Sequence, residues 1–175
     1  MVDIHRYARH ISLPDVGVEG QQKIDESKVL VIGAGGLASP VLLYLAAAGV
    51  GEIGIIDDDI VDLSNLQRQI VHSEAEIGKL KVESAKQRIA SINSSVKITT
   101  WNVRLTPDNA QDICSNWDLI IDGTDNIPTR YLVDDICMII GIPWVYGSIY
   151  RFEGQVSVFN YQDGPCYRDL FPEPP

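Results

Sequence analysis

The stretch Val29-Leu-Val-Ile-Gly-Ala-Gly-Gly-Leu-Ala-Ser39 constrains this chain more than any other. Val29 to Ile32 are apolar without alternation, as in a parallel strand covered on both faces. Gly33, Gly35 and Gly36 follow as a turn that bulky side chains would block, and an apolar helix is expected from about Leu37 to Ala48, stopping at Gly49. Strand, glycine turn and helix in that order build a phosphate cradle. Free N–H groups at the helix start face the ligand, and the helix dipole favours negative charge there. The motif implies a nucleotide but not which one, nor what is done to it.

The rest of the pattern extends the same architecture. Glu52-Ile-Gly-Ile-Ile-Asp57 reads as the second strand, Val96 to Trp101 as the third, Asp118 to Asp122 as the fourth and Trp144 to Ile149 as the fifth. Helices are predicted between them, over Gly78–Ile92, from Pro107 (with Thr106 as N-cap) to Cys114, and up to Ile140. Glu153 to Asn160 alternates and follows too soon for a helical crossover, so it reads as an antiparallel strand. The expected fold is therefore α/β: a Rossmann-like, doubly wound, mostly parallel sheet with helices on both faces. Residues 1–27 form an N-terminal helical segment, with short helices over Ile4–His10 and Val18–Asp25. Residues 28–160 form the nucleotide-binding domain, and 161–175 a proline-rich loop at which the domain stops incomplete.

Composition narrows the function. No apolar run would span a bilayer, and the N-terminus lacks the apolar core of a signal peptide, so a cytoplasmic protein without a membrane partner is expected. The formal charge of −10 would repel a nucleic acid. Cys114 and Cys137 fall inside helical apolar patterns and read as core thiols; Cys166 lies in a loop.

Several groups converge on the carboxyl ends of the strands. Asp57, roughly 20 residues past the glycine turn, is placed for ribose hydroxyls, or else is a turn residue of Asp57-Asp-Asp59. Arg68 and Lys81 supply positive charge, Asn65 an amide, and Asp125 a carboxylate suited to Mg²⁺. Each has a plainer reading: Lys81 solvated on its helix, Arg68 in a surface ion pair, Asp125 or Asn126 capping the next helix, Arg9 solvated surface. Cations, metal and nucleotide without a nucleophile or histidine base suit phosphoryl or nucleotidyl transfer.

Taken together, Arg6-Tyr-Ala-Arg-His10, Gly33-Ala-Gly-Gly-Leu37, Asp57-Asp-Asp59, Ser64-Asn-Leu-Gln-Arg68, Gly78-Lys-Leu-Lys81, Asp122-Gly-Thr-Asp-Asn126 with Arg130, and Glu153-Gly-Gln155 span nearly the whole chain. This series resembles the ThiF/MoeB/HesA family, bacterial relatives of the ubiquitin-activating enzymes. The glycine turn is weak support; the Ser-Asn-Leu-Gln-Arg block, the Asp-Asn with its arginine, and Glu-Gly-Gln are far more specific. The resemblance implies an adenylyltransferase. It would use ATP and Mg²⁺ to activate the C-terminal Gly-Gly carboxylate of a ubiquitin-like sulfur-carrier protein, for thiamine or molybdopterin synthesis. It assigns ribose to Asp57, the phosphates to Gly36 with Asn65, Arg68 and Lys81, and magnesium to Asp125. Arg9 matches an arginine that enters the neighbouring subunit's site in a homodimer.

The chain departs from the family twice. Many members carry paired Cys-x-x-Cys motifs for structural zinc, whereas Cys166-Tyr-Arg-Asp169 lacks its pair, so zinc is not expected. The chain also stops at Pro175, before the region where some members carry a catalytic cysteine or a rhodanese-like domain.

Three alternatives remain. An NAD-binding oxidoreductase would share the glycine turn and Asp57 but leave Arg68, Lys81 and Asp125 unexplained; its one candidate histidine, His72, reads as a surface residue in a polar loop. A non-catalytic partner of a heterodimeric activating enzyme would not be expected to keep those charged groups. A relative acting on a small carboxylate or a modified tRNA base is the third, its tRNA version disfavoured by the acidic charge.

Overall fold

A computed structural model describes residues 2–174. Its elements in chain order are α1 (Ala8–Ile11), α2 (Gly17–Glu26), β1 (Lys28–Ile32), α3 (Ala38–Ala48), β2 (Glu52–Ile56), α4 (Lys81–Ile92) and β3 (Lys97–Trp101). Then come α5 (Pro107–Cys114), β4 (Leu119–Asp122), α6 (Ile127–Ile140), β5 (Trp144–Tyr150), β6 (Glu153–Phe159) and α7 (Tyr167–Leu170). Short 3₁₀ turns at Leu63–Asn65 and Glu74–Glu76 lie between β2 and α4.

The six strands form one sheet in the order β3-β2-β1-β4-β5-β6. The first five are parallel and β6 returns antiparallel to β5. The order reverses between β1 and β4, so their connections leave on opposite faces and a crevice opens at their carboxyl ends, where ligands bind in such sheets.

Side-chain alternation along β1 builds two cores. Leu30 and Ile32 join Ile120, Trp144 and residues of α5 and α6 on one face. Val29 and Val31 join Ile53, Ile55 and residues of α3 and α4 on the other. Cys114 and Cys137 are core thiols, as expected, and burial pushes the Cys114 thiol up to about 12. Helix α3 ends at Gly49, whose φ of 86° lets its N–H close onto Leu45 and Ala46. No helix among the described residues is long and apolar enough to cross a membrane.

The structure corrects the expected elements in three places. Helix α4 begins at Lys81 rather than Gly78, because Gly78 donates to Val61 and Leu80 bridges Ile60, which takes those residues out of helical bonding. The first helix is shorter than Ile4–His10, because Asp3 gathers the N–H groups of His5 and Arg6 in a turn. The tail is not all loop: Tyr167–Leu170 forms α7, whose Tyr167 is buried against Trp144, Tyr146 and Phe159 while its N–H donates to the buried carboxylate of Asp134. That anchor lies far away in sequence, which is why the local pattern gave no helix.

Candidate active site

A cleft of about 630 Å³ opens at the carboxyl ends of β1, β2 and β4. Gly33, Gly35, Gly36, Asp57, Asn65, Arg68, Lys81 and Asp125 all line it. Arg9, which the resemblance places in a nucleotide site, is absent from it: it is exposed on α1 and does not line the cleft of its own chain.

The glycine turn is shaped by its neighbours. Gly33 has a φ of +92°, and a Cβ there would lie 3.2 Å from the Gly123 carbonyl oxygen. A Cβ on Gly36 would lie 3.3 Å from the Arg68 side chain, which therefore passes close over the turn. Asp57, at the end of β2, accepts from Ala34 N–H (2.7 Å) through Oδ2 and from Asp59 N–H (2.9 Å) through Oδ1. It thus braces the turn, and each carboxylate oxygen retains a further lone pair.

Lys81 is not solvated. As the first residue of α4 its side chain is 6% exposed, with Nζ 2.7 Å from Oδ2 of Asp59. Arg68 is exposed, and its NH1 contacts the Ser64 carbonyl oxygen at 3.4 Å rather than a carboxylate. Asn65 sits in the capping box of its 3₁₀ turn, its Oδ1 accepting from Asp62 N–H and its amide group at the cleft. The capping alternative for Asp125 is settled by its neighbour: Asn126 Oδ1 accepts from Thr129 N–H and caps α6, leaving Asp125 an exposed carboxylate in the cleft wall. Hard oxygen donors of this kind beside a phosphate cradle fit Mg²⁺.

Local patterning gave no structural role to several residues around the cleft. Asp122, 1% exposed at the end of β4, accepts through Oδ1 from both the N–H and the hydroxyl of Thr124, and so shapes the loop that carries Asp125. Its Oδ2 has no hydrogen-bond partner, Arg130 Nε lying 3.9 Å away, and burial pushes the carboxyl up to about 6. A charge closing an otherwise apolar strand was the available signal. Ile56, Val103 and Leu105 add an apolar wall, and Arg104 a further cation. His72 is not a surface residue: it is 7% exposed, held between Ala34 and Ser84. Cys166 stands at the N-cap of α7, where its N–H donates to Asp169.

The chain is 54% identical over 178 residues to the probable adenylyltransferase/sulfurtransferase MoeZ of Mycobacterium tuberculosis, covering 99% of this chain and 45% of that protein. It is 53% identical over 172 residues to the adenylyltransferase and sulfurtransferase MOCS3 of Arabidopsis thaliana, covering 98% and 37%. The chain thus spans less than half the length of these relatives. Among solved structures, E. coli MccB with ATP superposes with a TM-score of 0.84 at 24% identity, over 95% of this chain and 52% of that one, a likeness that carries the fold. Residues 7–175, which include the cleft and both halves of the sheet, match the ThiF family, and the chain belongs to it.

Proposed function

We propose that this chain adenylates the C-terminal Gly-Gly carboxylate of a ubiquitin-like sulfur-carrier protein at the expense of ATP. One observation carries the reading: Arg68, Lys81, Asn65 and Asp125 open on a single cleft beside the glycine turn. A dehydrogenase has no use for that set. The names of the two relatives, each an adenylyltransferase joined to a sulfurtransferase, support the same chemistry.

The reaction sets a carboxylate anion against a polyphosphate anion, so positive charge must lie between them. In the proposed step the carboxylate oxygen attacks the α-phosphorus, the bond from that phosphorus to the bridging oxygen breaks, and pyrophosphate leaves with the electron pair. The amides of Gly35 and Gly36 and the Arg68 and Lys81 side chains hold the phosphates. Asp57 meets the ribose, and Ile56, Val103 and Leu105 face the base. Magnesium, held by Asp125, would neutralise charge on the departing phosphates. A second, apolar groove of about 340 Å³, lined by Val41, Ile121, Val145 and Val156, adjoins the cleft through Leu37, Gly123 and Ile149. It suits an extended tail with small terminal residues. The exposed Arg9 would act in the cleft of the other subunit of a homodimer.

The test is ATP–pyrophosphate exchange in Mg²⁺, with and without sulfur carriers of the thiamine and molybdopterin pathways ending in Gly-Gly. Exchange that depends on one carrier establishes adenylation and assigns the pathway. ATP binding without exchange for any carrier would refute the catalytic reading, and NAD binding in place of ATP would refute the nucleotide assignment.

A further inference from the structure

His72 is buried directly behind the glycine turn and makes no contact that the proposed chemistry uses. Its Nε2 lies 2.9 Å from the Ala34 carbonyl oxygen, and its Nδ1 2.7 Å from Ser84 Oγ. Ser84 is fully buried on α4, three residues after Lys81 and so on the same helix face. The imidazole therefore bridges the two structures that present positive charge to the cleft.

The peptide geometry gives this bridge a consequence. The Ala34 carbonyl and the Gly35 N–H belong to one planar trans peptide unit, so they point in opposite directions. A carbonyl tied back to His72 turns the Gly35 N–H the other way, and Gly35 lines the cleft. The preceding peptide is pinned as well, by Ala34 N–H donating to Asp57. We propose that His72 is a positioning residue that aims the Gly35 amide at the phosphates and fixes the turn's spacing from Lys81.

Proton accounting then assigns the tautomer. A carbonyl oxygen only accepts, so Nε2 carries the hydrogen that Ala34 receives. Ser84 Oγ also lies 2.8 Å from Glu76 Oε2, and its single proton can serve Glu76 or His72 Nδ1, not both. Burial above all, then the ammonium of Lys81 on α4, hold the imidazole below the ordinary histidine range, against the opposing pull of the Ala34 carbonyl, of Glu76 on its 3₁₀ turn and of Asp57 at the end of β2. Whichever partner takes the Ser84 proton, Nε2 keeps the hydrogen that the Ala34 carbonyl receives, and that is the bond the positioning role needs.

The inference rests on the cleft binding ATP, and the experiment separates the two claims. ATP·Mg²⁺ binding is measured by calorimetry for the wild type, His72→Gln and His72→Leu, with circular dichroism on each. Glutamine places an amide N–H near the position of Nε2; leucine places none. Removing the donor that this buried carbonyl receives should weaken ATP binding by about tenfold or more in His72→Leu. His72→Gln should stay within about threefold of wild type. Wild-type affinity in folded His72→Leu, or equal loss in both variants, would overturn the positioning role. A wild type that does not bind ATP would instead overturn the nucleotide reading. Imidazole ¹⁵N shifts at neutral pH supply a readout independent of ligand, and a ring protonated at Nδ1 alone would also sink the assignment.

Discussion

Asp122→Asn tests whether the buried carboxylate beneath the loop that carries Asp125 is held at a cost. The Asp122 carboxyl is pushed from its ordinary 3.8 up to about 6 by burial, against two hydrogen bonds from Thr124 and the Arg130 guanidinium 3.9 Å away. That gap corresponds to about 3 kcal/mol between the two protonation states. The sign follows from linkage: between these two values the folded state binds the proton that the unfolded state has released. The contribution is therefore fully present below 3.8 and lost as the pH rises through about 6. Asparagine keeps an oxygen for Thr124 and does not titrate. Whatever it costs beside Arg130 is the same at every pH and drops out of the comparison. Urea unfolding of both proteins at a series of pH values from 4 to 7.5 should show the wild type losing about 3 kcal/mol relative to Asp122→Asn across that range. Parallel stability curves would refute the reasoning, because they would mean that Asp122 ionises in the folded chain as freely as in the unfolded one.

Three further outcomes are expected. Asp125→Ala should lower ATP–pyrophosphate exchange by about two orders of magnitude or more with an unchanged circular dichroism spectrum, since the side chain is exposed and caps nothing; wild-type exchange would remove Asp125 from the mechanism. Arg9→Ala and Arg68→Ala should each be inactive, and mixing them should restore part of the exchange by rebuilding one intact site per mixed dimer; no recovery counts against a shared site. Gly54→Ala would place a Cβ 2.6 Å from the Trp117 ring and 2.8 Å from Leu30, so it should cost about 1–3 kcal/mol in urea unfolding, and an unchanged midpoint would mean that this part of the core can give way.

Where a feature is contiguous in sequence, its pattern was readable. The strand, glycine turn and helix from Val29 to Ala48 and the Asp57 that follows were placed correctly because each is specified by its neighbours. The convergence of Asn65, Arg68, Lys81 and Asp125 was legible only from their joint occurrence, since each alone had a plainer reading. What stayed hidden depends on partners distant in the chain. Lys81 is buried because the bridge between Ile60 and Leu80 delays the start of α4. His72 is buried because its acceptor, Ala34, lies 38 residues earlier. The docking of α7 depends on Asp134, 33 residues before Tyr167. Periodicity carries no trace of such pairings.

The Lys81–Asp59 pair bears on how an acidic chain with a formal charge of −10 would take up a polyanion. The two partners are unequally placed: the Lys81 side chain is 6% exposed and that of Asp59 67%. Burial leaves the ammonium in need of an anion, whereas Asp59 remains well solvated without it. Asp59 regains its hydration on release and an arriving phosphate keeps the buried ammonium paired, so exchanging one anion for the other costs little. Asp59 would then keep Lys81 paired until a phosphate arrives. Asp59→Asn should remove that competitor and a repelling charge together, tightening ATP·Mg²⁺ binding about fivefold while lowering the stability of the free protein, whose buried ammonium loses its anion. The opposite result, weaker binding, would show that Asp59 acts with Asp57 and Asp58, whose carboxylate oxygens lie within 4.8 Å of its own, in holding the cation. Asp59 would then be a ligand of the cation rather than a displaceable partner of Lys81.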